Sequence, residues 1–201
     1  NVLDCIHTTA TSHGRVFIVE IMGHKVGWLT LYAGIAGGAD VILLPEIPYS
    51  IDSIADTLKR RNKCGKRFSI LAVAEGAIST EEAKLSKKEF KAARALMQEP
   101  SISYRLAKEI AAKTGQEIRV TVPGHFQRGG SPCPYDRVIS TRFGAAAAKL
   151  IAEKKYGYMV ALTNEKIVPV PLNEVAGKLK SVPKDCDIIQ TARDIGISFG
   201  D

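Results

Sequence analysis

The residues best suited to chemistry lie between Val122 and Arg137, VPGHFQRGGSPCPYDR, where a histidine, a glutamine, two arginines and three glycines share one short stretch. His125, Gln127 and Arg128 carry donors able to reach phosphate or hydroxyl oxygens, and the planar guanidinium of Arg128 stays charged at any relevant pH. Gly129 and Gly130 allow a positive φ or a close approach of backbone to a ligand, and Ser131-Pro132 turns the chain toward the next element. This is the profile of a loop that holds an anion. An ordinary strand-to-helix loop with a solvated arginine shares it, because a single glycine-rich loop is a weak signal.

Two elements must position that loop. Glu117 to Val122 (EIRVTV) alternates as a strand and stops at Pro123-Gly124, and Arg137 to Lys154 forms a long helix around Ala145 to Ala148. On the strand, Arg119 alternates with Ile118 and Val120, so it projects into a site or into water. Further strands are expected at Val16 to Glu20, in the apolar run DVILLP from Asp40, and at Ser69 to Ala74. Arg15 stands at the edge of the first, and Ile21-Met22-Gly23-His24 turns the chain after it. Gly23 would admit a ligand near the backbone, and Met22 would pack against a ring or simply into the core. Glu75-Gly76 ends the third strand, where a carboxylate accepts from sugar hydroxyls or is an exposed loop acid.

The intervening segments read as helices. Gly27 to Gly37 is apolar almost all round and is expected to be buried, with Trp28 in the core. Ile54 to Arg61 and Ser103 to Thr114 are helical, the latter closed by Gly115. Ser79-x-x-Glu82 is a capping box that should open an amphipathic segment running to Gln98. Tyr158 to Thr163 and Lys166 to Val170 are two strands joined by Asn164-Glu165, and Asn173 to Leu179 and Asp187 to Ile195 are short helices. The opening residues read as a helix already under way, with Val2, Leu3 and Ile6 on one side, so Asn1 is not expected to be a natural start.

A chain of 201 residues with 45% apolar and 24% charged residues has the makeup of a globular α/β protein with a substantial core. No run of about 18 uncharged apolar residues is present and nothing resembles a signal peptide, which predicts a cytoplasmic protein without a membrane partner. Cys5, Cys64, Cys133 and Cys186 are widely spaced and form no zinc-type cluster, so reduced thiols are expected. The net charge of +7 suits an anionic partner. The densest basic run, Lys59 to Arg67, contains no aromatic residue, which argues for a solvated helix end rather than nucleic-acid binding.

The string GHFQRGGSP followed by YDR closely resembles the substrate loop of the 6-phosphofructokinases. Ile18 to Trp28 (IVEIMGHKVGW), followed by AGIAGGADVILLPE, resembles a second block of that family in the same order, and the similarity runs from about Arg15 to the end of the chain. The resemblance implies a three-layer Rossmann-like α/β fold built on a parallel sheet. It implies a fructose 6-phosphate domain of residues 15–127 with 167–178, and the C-terminal part of a nucleotide domain in 128–166 with 179–201. Residues 1–14 would be a helix leading in from an absent half.

The implied reaction transfers a phosphoryl group from ATP or pyrophosphate, with Mg²⁺, to the 1-hydroxyl of fructose 6-phosphate in glycolysis. By resemblance the acceptor is bound by Arg15, Met22, Gly23, His24, Glu75, Arg119, His125, Phe126, Gln127 and Arg128. Arg15 and Arg119 would reach the phosphate held in a neighbouring subunit of a dimer or tetramer. At His24 the family usually has an arginine; here Lys25 follows as a possible substitute charge. Gly38, Asp40, Lys66 and Arg67 are compatible with an effector site, although the family's basic residues are replaced by His7 and Cys64. The family's catalytic aspartate lies in a TIDND-like segment and its donor loop in a GGDGT-like string, and neither occurs in this chain. A non-catalytic sugar-phosphate-binding or regulatory subunit is the alternative, and a nucleic-acid-binding domain the third reading.

Overall fold

The computed structural model describes residues 1–201, leaving aside the side chains of Ser12 and His13. Its centre is a four-stranded sheet of β1 (Val16–Ile21), β2 (Val41–Leu43), β3 (Ser69–Ala74) and β4 (Ile118–Thr121) in the order β2-β3-β1-β4. All three pairings are parallel, with Val16 opposite both Ser69 and Ile118. Every residue of β1, β2 and β3 is buried, as expected of parallel strands covered on both faces.

The period-2 alternation of side chains sorts these strands into two cores. Phe17, Val19, Ile21, Ile42, Ile70 and Ala72 face one cluster, packed with Leu3 and Ala10 of α1 (Val2–His13), Leu31 of α2 (Trp28–Ala36) and Ile189 and Ala192 of a C-terminal helix, Asp187–Asp194. Val16, Ile18, Leu43, Leu71 and Val73 face the other, packed with Ile54 and Leu58 of α3 (Ile51–Lys63) and Leu106 and Ile110 of Ile102–Thr114. Helices on both faces of a parallel sheet give the three layers that the sequence predicts.

Two local expectations change. The segment after Ser79 is not one helix. Ser79 and Glu82 do form the reciprocal capping pair, with Ser79 N–H donating to Glu82 Oε2 at 3.0 Å and Glu82 N–H to Ser79 Oγ at 3.1 Å, but they cap only a 3₁₀ turn, Glu82–Lys84. Leu85 is extended, and a second capping box, Ser86 with Glu89, starts α4 (Lys87–Ala95). Helix α5 (Ile102–Thr114) then follows. The all-apolar α2 is buried only on one side: Thr30, Leu31 and Gly34 are buried, while Leu29 and Tyr32 are more than half exposed. Trp28 is partly buried and donates from Nε1 to the Lys180 carbonyl at 2.8 Å.

The chain divides into two compact units, residues 1–127 with 180–201, and residues 128–179. The expected division grouped 167–178 with residues 15–127 and 179–201 with residues 128–166. Residues 166–171 form β6 (Lys166–Pro171), which pairs antiparallel along its whole length with β5 (Tyr158–Thr163) and so stays with the second unit. Residues 180–201 return to the first unit, where Ser198 bridges Val41 and Phe199 is fully buried. In the second unit, α6 (Pro134–Ala152) precedes the β5–β6 hairpin and α7 (Leu172–Val175) follows it; α8 is Asp187–Asp194 in the first unit. Asn164 and Glu165 turn the hairpin with φ of 48° and 63°, the left-handed pair a two-residue loop requires. No helix among the described residues is long and apolar enough to cross a membrane.

Candidate functional site

In a parallel sheet the segments leaving the carboxyl ends of the strands gather on one edge. Here three of them interlock: Met22 to His24 after β1, Glu75-Gly76 after β3 and the 3₁₀ turn Gly124–Arg128 after β4. Glu75 Oε1 accepts from the backbone N–H of Gly23 at 3.2 Å and of His24 at 2.6 Å. His24 has a φ of 54°, a left-handed conformation that costs on the order of 1 kcal/mol for a residue with a side chain. The Glu75 carboxylate, a charge-assisted acceptor, offsets that cost.

The turn after β1 is itself tight. A Cβ on Gly23 would meet the Val26 carbonyl oxygen at 2.6 Å, so only glycine fits the turn without displacement. From the other side, Gln127 Oε1 accepts from Met22 N–H at 3.0 Å, and its amide nitrogen faces the Gly124 carbonyl at 3.3 Å. Gln127 therefore ties the third loop to the first, whereas its sequence reading was as a ligand donor. On the same turn His125 and Phe126 are exposed, Phe126 at 72%.

The loop that carries Glu75 is anchored from behind. Arg94 Nη2 donates to the Ala77 carbonyl at 2.6 Å and to Glu82 Oε2 at 2.9 Å, and Arg105 Nη1 donates to Glu82 Oε1 at 2.8 Å. Burial pushes the Glu82 carboxyl up, but the Arg105 hydrogen bond, the Ser79 amide and the charges of Arg94 and Arg105 outweigh it and hold it below the usual carboxylate range.

Arg15 and Arg119 lie elsewhere. Arg15 precedes β1, and Arg119 pairs with Phe17 near the start of β4, so both sit toward the amino ends of the strands. Six residues of β1 separate that edge from Met22, on the order of 20 Å. Both arginines pair with Glu117: Arg15 Nε lies 2.6 Å from Oε2, and Arg119 Nη2 contacts Oε1. Glu117 was not singled out from sequence, although strand alternation puts residues 117 and 119 on one side.

Two of the residues considered for an effector, Gly38 and Asp40, are occupied by internal contacts. Asp40 accepts from Ile70 N–H at 2.9 Å and pairs with Arg61 at 2.6 Å, while the Gly38 carbonyl lies 3.1 Å from His7 Nε2. Burial raises the Asp40 carboxyl above its ordinary value despite the Ile70 amide and the Arg61 charge. Lys66 and Arg67 remain exposed on the loop before β3. Among the described residues no three His, Cys, Asp or Glu side chains converge on a point that could hold a metal ion.

Arg128 opens the second unit, followed by Gly129, Gly130 and the N-terminus of α6, where Asp136 accepts from Cys133 N–H at 3.2 Å. Arg137 and Arg142 on α6 donate to the Pro132 and Glu165 carbonyls at 3.1 and 2.7 Å.

Known proteins share this arrangement of sequence. The chain is 54% identical over 199 residues to an ATP-dependent 6-phosphofructokinase of Spirochaeta thermophila, covering 99% of this chain and 54% of that protein. It is 46% identical over 198 residues to ATP-dependent 6-phosphofructokinase 3 of Bacteroides thetaiotaomicron, covering 98% of this chain and 54% of the relative. The solved phosphofructokinase of Saccharomyces cerevisiae superposes with a TM-score of 0.68 at 32% identity, over 86% of this chain and 22% of that one. The chain thus spans about half the length of the curated relatives it matches. The phosphofructokinase family profile matches residues 1–151, and the chain belongs to the phosphofructokinase family.

Proposed function

We propose that this chain supplies the acceptor-binding part of a 6-phosphofructokinase, which transfers the terminal phosphoryl group of ATP to the 1-hydroxyl of fructose 6-phosphate. The observation that carries the reading is the interlocked edge of Met22, Gly23, Glu75 and Gln127, beside exposed His125 and Phe126 and followed in sequence by Arg128. Such an edge is rigid, and rigid positioning is most of what phosphoryl transfer asks of a protein. ATP is assigned as donor because the relatives of highest identity given above are named ATP-dependent.

The sugar phosphate is a dianion and takes a charge-assisted bond from His125 of one subunit. Arg15 and Arg119 lie at the opposite edge of the same sheet, too far away to serve that site. They complete the site of a second copy, so the active enzyme is a homo-oligomer whose sites are shared. The catalytic base, the donor loop and the Mg²⁺ ligands belong to sequence outside these 201 residues, and this chain alone turns nothing over.

Subunit mixing tests the reading. In the full-length enzyme, Arg119→Ala and His125→Ala should each suppress phosphorylation of fructose 6-phosphate. Reassembled together, the two inactive forms should regain activity, because a fraction of sites would then pair intact Arg119 with intact His125. Failure of the mixture to exceed either parent would remove the shared site. Undiminished activity in both single variants would remove the acceptor assignment.

A further inference from the structure

The Arg15–Glu117–Arg119 cluster has no structural task that accounts for it. The side chains are 31%, 49% and 56% exposed, and ion pairs of that exposure add little to stability. The backbone already fixes the strands, with Val16 N–H donating to the Glu117 carbonyl at 3.2 Å and β1 pairing with β4 over four residues. What the carboxylate does fix is the two guanidinium groups. Each Glu117 oxygen takes one arginine, so a single acid bridges both, and the set keeps one net positive charge.

We propose that Glu117 is a positioning residue that holds Arg15 and Arg119 together as one phosphate clamp for the neighbouring subunit's sugar phosphate. The inference rests on the reading of those two arginines as phosphate contacts. Without the carboxylate the guanidinium groups repel each other, and two long side chains regain their rotamer freedom. A dianion must then gather them itself, and its affinity falls. With the carboxylate present, the two arginines are held on one acid, Arg15 through Nε, which leaves its two terminal nitrogens outside that hydrogen bond.

The test uses the full-length enzyme and steady-state kinetics. Glu117→Gln keeps the shape of the side chain and removes its charge. It should raise KM for fructose 6-phosphate about tenfold, leaving kcat, KM for ATP and the thermal midpoint unchanged. In an Arg15→Ala background the same substitution should have a much smaller effect, because the pair it organises is gone. A lower KM in Glu117→Gln would mean that the carboxylate competes with the phosphate, and would overturn the proposal. So would an unchanged KM, provided Arg15→Ala and Arg119→Ala raise it. If neither arginine variant alters KM, the phosphate-contact reading itself fails and the clamp with it.

Discussion

Gly76 lies against the backbone of His24: a Cβ built on Gly76 would stand 2.0 Å from the His24 carbonyl oxygen. No side-chain rotation relieves that contact, because the atom opposite is main chain. Gly76→Ala must therefore displace the Met22–His24 turn. The expected result is a loss of about 1–3 kcal/mol in denaturant unfolding of this chain, as for other overpacked sites, and a raised KM for fructose 6-phosphate in the full-length enzyme. Unchanged values of both would mean that the two loops separate freely.

Gln127 is expected to act through the backbone of Met22 rather than on a ligand. Gln127→Leu leaves the Met22 N–H without its 3.0 Å acceptor and should cost about 1–3 kcal/mol. Gln127→Glu retains an acceptor and should be milder. The ranking is read from urea midpoints, and a Glu variant worse than the Leu variant would contradict it.

Acid unfolding should report Glu82. Its folded-state carboxyl lies below the ordinary range, so the unfolded chain binds the extra proton as pH falls. The stability it contributes is complete above the ordinary carboxylate pKa of about 4.3 and drains away below it. Glu82→Gln should flatten that acid limb and lower neutral stability by about 3 kcal/mol, because Arg94 and Arg105 are left with a neutral partner. Equal pH profiles for both proteins would exclude this role.

The effectors that the family resemblance implies, adenosine diphosphate and phosphoenolpyruvate, are expected to have a weak effect or none on the full-length enzyme's rate. Asp40 is held by Arg61 and the Ile70 amide, and the Gly38 carbonyl faces His7. A sigmoidal substrate curve abolished by the diphosphate would count against this expectation.

The elements that the sequence showed most clearly are those whose cause is local. Val16 to Ile21 and Ser69 to Ala74 are apolar but for Glu20 and Ser69 because both faces of a parallel strand are covered, and Asn164-Glu165 marks a hairpin by standing between two strand-like segments. The Ser79–Glu82 pair was legible as a cap, but its length was not, since Glu82 is drawn toward Arg94 and Arg105 and a second box follows at Ser86. At the site, Glu75 and Gln127 could be recognised as important but not as braces. Their partners lie 52 and 105 residues away, and no spacing rule brings a carboxylate to the amides of Gly23 and His24.

The return of residues 180–201 to the first unit makes residues 128–179 an insertion within it. During synthesis the sheet β2-β3-β1-β4 can pair once Thr121 has emerged, yet the face that receives Ile189, Ala192 and Phe199 stays open until the chain has nearly reached Asp201. At typical elongation rates that interval is on the order of several seconds. A nascent chain in that window shows water a ready-made apolar groove, the kind of surface that chaperones recognise. Slowing translation between Arg128 and Leu179 should therefore lower the yield of folded protein far more than slowing it before Ile102.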